Sequence, residues 1–114
     1  MARKVLLVDD EPTILEVVAL MLADLGCDVE TSTNAEHALK LIASEPEIEV
    51  LLTDINMPGV DGRELAFRAK QMRPELQVLL LSGRDHDGYG FPIVRKPFLQ
   101  SDLHRVMSAT TGLC

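Results

Sequence analysis

Short runs of consecutive apolar residues alternate along the chain with longer segments in which apolar residues recur every three or four positions. The first pattern predicts β-strands, since a strand buried on both faces needs apolar side chains on each face. The predicted strands are residues 4–8, 28–32, 49–53, 77–82 and 92–95, of which the second is the weakest. The second pattern predicts amphipathic helices, because it places the apolar side chains along one face. The predicted helices are residues 12–25, 35–45, a third from Gly62 or Arg63 to Met72 and a last one that begins near Ser101 or Asp102.

Single residues mark the ends of several predicted helices. Pro12 fits the first turn of the first helix, and Gly26 fits its end. Asn34 is a typical cap for the second helix, while Pro46 and Pro74 stop the second and third. Strands that alternate with helices form βαβ units, so the sequence predicts a parallel sheet with helices on both faces.

Polar residues follow or end four of the five predicted strands. In such a sheet, ligands bind outside the carboxyl ends of the strands, so polar residues at these ends are candidates for a site. They are Asp9 and Asp10 after the first strand, Asp54 after the third, Ser82 at the end of the fourth and Lys96 after the fifth. We therefore expect residues that are distant in the sequence to meet at one edge of the sheet.

Three of these residues, Asp9, Asp10 and Asp54, are carboxylates that repel one another when they are brought together. A divalent cation removes this repulsion, and Mg²⁺ takes about six oxygen ligands, several of them water. Lys96 can hold a phosphoryl oxygen through its charge, and Ser82 through a hydrogen bond. The set predicts metal-assisted phosphoryl transfer with a carboxylate as nucleophile. Capping of the first helix by Asp9 and Asp10 is the structural alternative.

The composition excludes several classes of protein. The 114 residues fit one domain, and a 46% apolar content is ordinary for a globular core. The apolar runs are too short to cross a bilayer, and the four apolar residues before Asp9 predict no signal peptide. A net charge of −7 argues against nucleic-acid binding, which needs clustered lysines and arginines. Two cysteines are too few for a disulfide framework, so we expect a reducing, cytoplasmic location.

Four stretches, each placed at the end of a predicted strand, resemble those of response-regulator receiver domains. They are Leu7 to Pro12, Leu52 to Gly62, Leu81 to Gly83 and Lys96 to Phe98. The resemblance covers essentially the whole chain, residues 1–114, as one receiver domain. It implies a flavodoxin-like, doubly wound α/β fold with a five-stranded parallel sheet in the order 2-1-3-4-5.

The resemblance also implies a role for each residue that handles the phosphoryl group. Asp54 matches the phosphoacceptor, which attacks a phosphohistidine of a partner kinase. Ser82 matches the hydroxyl residue that turns toward the phosphoryl group, and Lys96 matches the lysine that contacts it. Gly83 matches a small residue that leaves access to the site.

For the metal, which the resemblance implies to be Mg²⁺ or Mn²⁺, the ligands follow the same motifs. Asp10 and Asp54 match direct ligands, and Asp9 matches a carboxylate that acts mainly through a metal-bound water. The backbone carbonyl of Asn56 matches the third protein ligand. Asn56 and Arg84 also hold the two positions that tune how fast water removes the phosphoryl group in this family.

The chain departs from the family between the fourth and fifth strands. Receiver domains have a full helix there, whereas only residues 83–92, three of which are glycines, separate the two predicted strands. A parallel crossover needs about a dozen residues or more, so we expect this helix to be shortened or replaced by a loop. Ile93 also replaces the tyrosine or phenylalanine that usually lies three residues before the lysine. The way in which phosphorylation is read out is therefore expected to differ.

The function implied is that of a phosphoacceptor domain in a two-component phosphorelay, with a sensor histidine kinase or phosphotransfer protein as partner. We expect no direct nucleic-acid partner, no membrane segment in this chain and no enzymatic activity beyond its own phosphorylation and slow autodephosphorylation. The alternatives are a pseudo-receiver that only binds proteins and a Mg²⁺-dependent phosphohydrolase with an aspartyl nucleophile. The intact set of Asp9, Asp10, Asp54, Ser82 and Lys96 counts against the first alternative. Such phosphohydrolases typically have Asp-x-Asp after the first strand, whereas Asp9 and Asp10 are adjacent here and Asn56 lies two residues after Asp54, which counts against the second. A stand-alone regulator and a piece of a longer protein both remain open.

Overall fold

The computed structural model describes residues 3–57, 59–83, 90–96 and 100–111, which form five strands and four helices. The strands are β1 (Lys4–Val8), β2 (Asp28–Ser32), β3 (Ile48–Asp54), β4 (Gln77–Ser82) and β5 (Ile93–Arg95). The helices are α1 (Pro12–Asp24), α2 (Ala35–Ser44), α3 (Gly62–Met72) and α4 (Gln100–Thr111). Every predicted element is present, although β3 is one residue longer at each end than predicted.

All five strands pair in parallel, in the order β2-β1-β3-β4-β5. The predicted α/β fold with a flavodoxin-like strand order is therefore confirmed. In the centre of the sheet, Val8 of β1 lies opposite Thr53 of β3, so the residues that follow them are also neighbours. Ser82 at the end of β4 lies opposite Arg95 of β5. This register brings the carboxyl ends of β1, β3, β4 and β5 to one edge.

The core consists of two apolar layers, one on each face of the sheet. Leu6 and Leu51 pack on one face together with apolar residues of α2 and α3. Leu7 and Leu52, the next residues along the same strands, pack on the other face with α1 and α4. Successive side chains of a strand point to opposite faces, which explains why the central strands are almost continuously apolar.

The residues predicted to begin, cap or end the helices occupy those positions in the structure. Pro12 occupies the first turn of α1, and Gly26 follows the helix with a positive φ of 93°, which favours glycine. The side chain of Asn34 caps α2 by accepting a hydrogen bond from the backbone N–H of His37 at 2.8 Å. Asp61 caps α3 in the same manner, with a backbone N–H donor at 2.8 Å.

The connection between β4 and β5 is as short as the sequence indicates. None of the four helices formed by the described residues lies between Ser82 and Ile93, which agrees with the predicted loss or shortening of the usual helix. Residues 84–89 themselves lie outside the described part of the chain. Within that described part, no helix combines the length and apolarity that crossing a membrane requires.

Cys27 departs from the expectation drawn from the cysteine count. Its side chain is buried in the layer that contains α1 and α4, as a small apolar residue would be. It is also disulfide-bonded, although two cysteines in 114 residues led us to expect no disulfide framework and a reducing location.

Candidate functional site

The three carboxylates predicted to meet do lie together at the carboxyl edge of the sheet. Asp9 directly follows β1 and Asp54 ends the neighbouring β3. One carboxylate oxygen from each of Asp9, Asp10 and Asp54 lies within 4.8 Å of the others. Asp9 is 1% exposed and Asp54 is 5% exposed, so two of the three carboxylates are almost removed from water. Such burial is costly unless a counter-charge is close.

Asp9 is held by hydrogen bonds on its backbone and on both carboxylate oxygens. Its N–H donates to the carbonyl of Ser32 at 3.2 Å, which ties it to the end of β2. Its Oδ1 accepts from the N–H of Glu11 at 3.0 Å, and its Oδ2 accepts from Nζ of Lys96 at 3.2 Å. Glu11, and not Asp9, directly precedes α1, and its side chain makes no capping hydrogen bond. Helix capping is therefore not what this structure shows for Asp9.

Asp10 differs from its neighbour because its carboxylate is open. The residue is half-buried, and its side chain makes no hydrogen bond or ion pair with any residue that the structure describes. It lines a groove of about 450 Å³, which we call the Asp10 groove. The other residues of this groove are Thr33, Asn34, Ala35, Glu36, Met57 and Val60. Oxygens of Asp10 are thus available to a cation that enters from this side.

Lys96 provides the positive charge of the site. Its Nζ lies 3.2 Å from Oδ2 of Asp9 and 3.4 Å from Oδ1 of Asp54, so it contacts the ends of β1 and β3 at once. Its backbone N–H donates to the carbonyl of Ser82 at 2.7 Å. This bond extends the pairing of β4 and β5 by one residue and holds the lysine at the edge where the carboxylates meet.

The carboxyl group of Asp54 has a pKa above its ordinary value of 3.8. Burial is the main cause of this raised pKa, and the neighbouring carboxylate of Asp9 adds to it. The ammonium of Lys96 and a hydrogen bond from the backbone N–H of Asn56 oppose the rise but are outweighed. The ionised form, which is the nucleophilic one, is therefore under-compensated by the protein alone.

The residues at this edge fit a small divalent cation. Three carboxylates and one ammonium leave a formal charge of −2, which a divalent ion would neutralise. Oxygens on opposite sides of Mg²⁺ are about 4.2 Å apart, since each lies about 2.1 Å from the ion, so little movement is needed for one ion to be shared. All three donors are hard oxygen ligands of the kind that Mg²⁺ and Mn²⁺ prefer.

Gly62, the first residue of α3, contacts the backbone of Asp54 more closely than the sequence suggested. A Cβ atom added there would lie 1.9 Å from the carbonyl oxygen of Asp54 and 2.8 Å from Cα of Ile55. Its N–H donates to the carbonyl of Ile55 at 2.9 Å. The sequence predicted the start of the third helix here, but not its contact with Asp54. The first turn of α3 therefore packs directly against the backbone of Asp54.

The remaining predicted site residues are placed as follows. Ser82 is fully buried at the end of β4, and Asn56 is exposed in the loop after β3. A Cβ atom at Gly83 would have Cβ of Lys96 at 4.0 Å, an ordinary contact, so space remains there. Ile93 is half-buried at the start of β5. Arg84, Pro97 and Phe98 lie outside the described residues, and the metal contact of the Asn56 carbonyl stays a prediction.

Comparison with known proteins connects this geometry to one family. A family model described as "Response regulator receiver domain" matches residues 5–107. The transcriptional regulatory protein AruR of Pseudomonas aeruginosa is 37% identical over 92 residues, which are 76% of this chain and 37% of that protein. The sensor histidine kinase GacS of Pseudomonas protegens is 31% identical over 131 residues, covering 98% of this chain and 14% of the kinase. The chain thus spans much less than two thirds of either curated relative.

Solved structures share the fold over nearly the whole chain. A CheY-like response regulator receiver domain protein from Methanospirillum hungatei JF-1 superposes with a TM-score of 0.86 at 25% sequence identity. The superposition covers 96% of this chain and 93% of that one. The arrangement of strands and helices around the carboxylate cluster is therefore a known one.

Proposed function

Because the chain belongs to the response regulator receiver domain family, we propose that it receives a phosphoryl group on Asp54 in two-component signalling. Domains of this family are signalling domains and not conventional enzymes. A sensor histidine kinase or a phosphotransfer protein is the proposed donor, and residues 1–114 are proposed to form one receiver domain. The activity and partners of any longer protein that contains the chain belong to the same proposal.

One observation carries the proposal, namely that Lys96 contacts both Asp9 and Asp54 while the carboxylate of Asp10 stays open. A site of this kind can bind a cation through Asp9, Asp10 and Asp54 and still present Asp54 to a donor. In addition, the proposal assigns a metal contact to the backbone carbonyl of Asn56. A protein-binding module without phosphotransfer chemistry has no need for three carboxylates and a lysine at one sheet edge.

The transfer step uses the ionised carboxylate of Asp54. One of its oxygens forms a bond to phosphorus while the bond between phosphorus and the donor imidazole nitrogen breaks. The imidazole leaves with the bonding electron pair and takes up a proton. Lys96 holds a phosphoryl oxygen through its charge, and the hydroxyl of Ser82 donates a hydrogen bond to another. A bound Mg²⁺ would supply neutralisation of the charge on the transferring group.

The proposal also includes the hydrolysis of the phosphoryl group and the cellular location of the protein. Water slowly removes the phosphoryl group, with Asn56 and Arg84 at the positions that tune this rate. A cytoplasmic location is proposed because histidine kinases draw on ATP. Thiol titration of the protein isolated from cells under alkylating conditions tests this location, because cysteines stay reduced in the cytoplasm.

Incubation with Mg²⁺ and acetyl phosphate tests the phosphoacceptor function directly. The intact mass of the protein is expected to rise by one phosphoryl group, and Asp54→Asn is expected to abolish the gain. Asp28→Asn removes an exposed carboxylate at the start of β2 and serves as the matched control, which should be modified like the natural chain.

Three outcomes would contradict the proposal. If no modification occurs at saturating donor and Mg²⁺, the pseudo-receiver alternative is favoured. Modification that persists in Asp54→Asn would place the acceptor elsewhere. Continuous hydrolysis of many phosphoesters would favour the phosphohydrolase alternative.

A further inference from the structure

Buried polar side chains in the described part of the chain are confined to the carboxyl edge of the sheet. They are Asp9, Ser32, Thr53, Asp54 and Ser82. Asp9, Asp54 and Ser82 belong to the proposed site, and the carbonyl of Ser32 holds the N–H of Asp9. Thr53 is the remaining one. It needs an explanation of its own, because a buried hydroxyl costs free energy unless it makes a hydrogen bond.

The hydroxyl of Thr53 is bonded to the backbone of the next residue. Thr53 is fully buried, and its Oγ1 donates a hydrogen bond to the carbonyl oxygen of Asp54 at 3.1 Å. Leu51 and Ile55, two residues before and after Thr53, pack in the apolar layer that contains α2 and α3. A valine would fill the same space in this setting without burying a hydroxyl. What threonine adds at this position is therefore the hydrogen bond to Asp54.

This bond completes the support of the peptide unit that joins Asp54 to Ile55. The carbonyl of the unit accepts from Thr53, and its N–H, which belongs to Ile55, donates to the carbonyl of Leu81 in β4 at 2.9 Å. Gly62 at the start of α3 packs against the same carbonyl oxygen. Hydrogen bonds at both ends and a close contact at one end oppose rotation of this peptide plane.

The orientation of this plane determines which groups the carboxylate of Asp54 meets. The N–H of Asn56, one peptide further along, donates a hydrogen bond to that carboxylate, and Nζ of Lys96 lies 3.4 Å from its Oδ1. Rotation of the Asp54–Ile55 peptide would carry the Asn56 N–H away and leave the carboxylate freer to turn. Transfer to an oxygen depends on its alignment with the donor phosphorus, so such freedom slows the reaction.

We infer that Thr53 is a positioning residue for phosphoryl transfer, because its hydroxyl fixes the Asp54–Ile55 peptide and thereby the direction of the Asp54 carboxylate. Thr53 is buried below the site and acts only through Asp54. The inference rests on the proposed function, since it concerns Asp54 as the acceptor.

Two substitutions in the full chain separate the hydroxyl of Thr53 from its methyl group. Thr53→Val keeps the branched shape and removes the hydroxyl, whereas Thr53→Ser keeps the hydroxyl and removes the methyl group. Phosphorylation by acetyl phosphate at saturating Mg²⁺ is followed by intact mass over a range of donor concentrations. We expect Thr53→Val to lower the maximum rate about tenfold or more, while the half-saturating donor concentration changes less than about twofold. Thr53→Ser should stay within about threefold of the natural rate.

Amide hydrogen exchange reports on the same peptide without any phosphorylation. In the unmodified protein, Thr53→Val should raise the exchange rates of the Ile55 and Asn56 amides about tenfold relative to that of Leu52 in the middle of β3. Thr53→Ser should leave this ratio unchanged. A general loss of stability would raise all three rates together, so the ratio separates orientation of Asp54 from a merely structural effect.

Thr31→Val is the matched control. It makes the same substitution at an exposed threonine of β2, and it should change neither the phosphorylation rate nor the exchange ratio. Urea unfolding of each variant gives the folded fraction under the assay conditions, and the rates are corrected for that fraction.

Three results would overturn the inference. One is a natural maximum rate in Thr53→Val, and another is an equal loss of rate in Thr53→Ser, which would assign the effect to packing. The third is an exchange ratio that Thr53→Val does not change. If the natural chain accepts no phosphoryl group, it is the proposed function that fails. The exchange ratio then decides on its own whether Thr53 orients Asp54.

Discussion

At the scale of single residues, the buried carboxylate of Asp54 lowers the stability of the folded protein when it is ionised. Its carboxylate is buried beside that of Asp9, and together these raise its pKa above 3.8 in spite of Lys96. In the unfolded chain the same group has its ordinary pKa. Between the ordinary and the raised pKa the folded protein binds more protons than the unfolded one, so its stability falls as the pH rises through this window.

Asp54→Asn should therefore stabilise the metal-free protein at neutral pH. We expect a gain of about 1 kcal/mol in the free energy of unfolding at pH 7, the usual size of a point-mutation effect. The gain should shrink as the pH is lowered toward 3.8, where the natural carboxyl takes up its proton. Urea unfolding in EDTA at a series of pH values measures it, with Asp28→Asn as control. A variant that is less stable at every pH would refute this account.

At the scale of elements, the start of α3 packs directly against Asp54, the residue that we propose as the acceptor. Asp61 caps the helix, and Gly62 places the first turn against the Asp54 carbonyl, where a Cβ atom has no room. A displacement of the Asp54 backbone therefore has to move the start of α3 or be resisted by it.

Gly62→Ala is expected to harm both folding and phosphorylation. The added methyl group would force α3 or the β3–α3 loop to shift, at a cost of about 3 kcal/mol in unfolding free energy. Gly59→Ala is the matched control, because Gly59 has a positive φ of 81° but no atom within 4 Å of an added Cβ. It should cost only about 1 kcal/mol of backbone strain. Urea unfolding and modification by acetyl phosphate measure the two effects. Equal stability of the two variants would show that the close packing at Gly62 does not constrain the fold.

At the scale of the whole molecule, uncompensated negative charge is located at both ends of the sheet. At the amino end, the ammonium of Lys4 lies 2.8 Å from Glu45, 3.6 Å from Glu30 and 3.7 Å from Glu47. This raises the pKa of Lys4, and a hydrogen bond from Lys4 lowers that of Glu45. At the carboxyl end, Lys96 is the only cationic residue in the described part of the chain that faces the three carboxylates, so a cation is expected to bind there first.

Mg²⁺ should raise the melting temperature of the natural chain, because it binds the folded site and not the unfolded chain. At a Mg²⁺ concentration of about 100 times its dissociation constant, the free energy of unfolding should rise by about 2.7 kcal/mol. Asp10→Asn should remove most of the gain, since the open carboxylate of Asp10 is the most available ligand. Melting is followed by circular dichroism, because the chain has no tryptophan and one tyrosine. An equal gain in natural and Asp10→Asn proteins would place the cation elsewhere.

The parts of the structure that local signals specify could be read from the sequence. Pro12, Gly26 and Asn34 define helix ends through their own backbone and hydrogen-bonding properties, and all three do so here. The convergence of Asp9, Asp54 and Lys96 followed from strand order. Two features could not be predicted, namely the close contact of Gly62 with the Asp54 backbone and the lack of a described partner for the Asp10 side chain. Both depend on the distance between a helix or loop and the sheet. Side-chain packing sets such distances, and periodicity contains no information on them.

The contact between Lys96 and Asp9 joins residues that are 87 positions apart in the chain. Closing so large a loop is among the late events of folding, since the intervening strands have to find their register first. A chain still emerging from the ribosome can form β1 and β3 but has no lysine at their ends. The site that we propose for phosphoryl transfer is thus completed last, and a partly synthesised chain is not expected to accept a phosphoryl group.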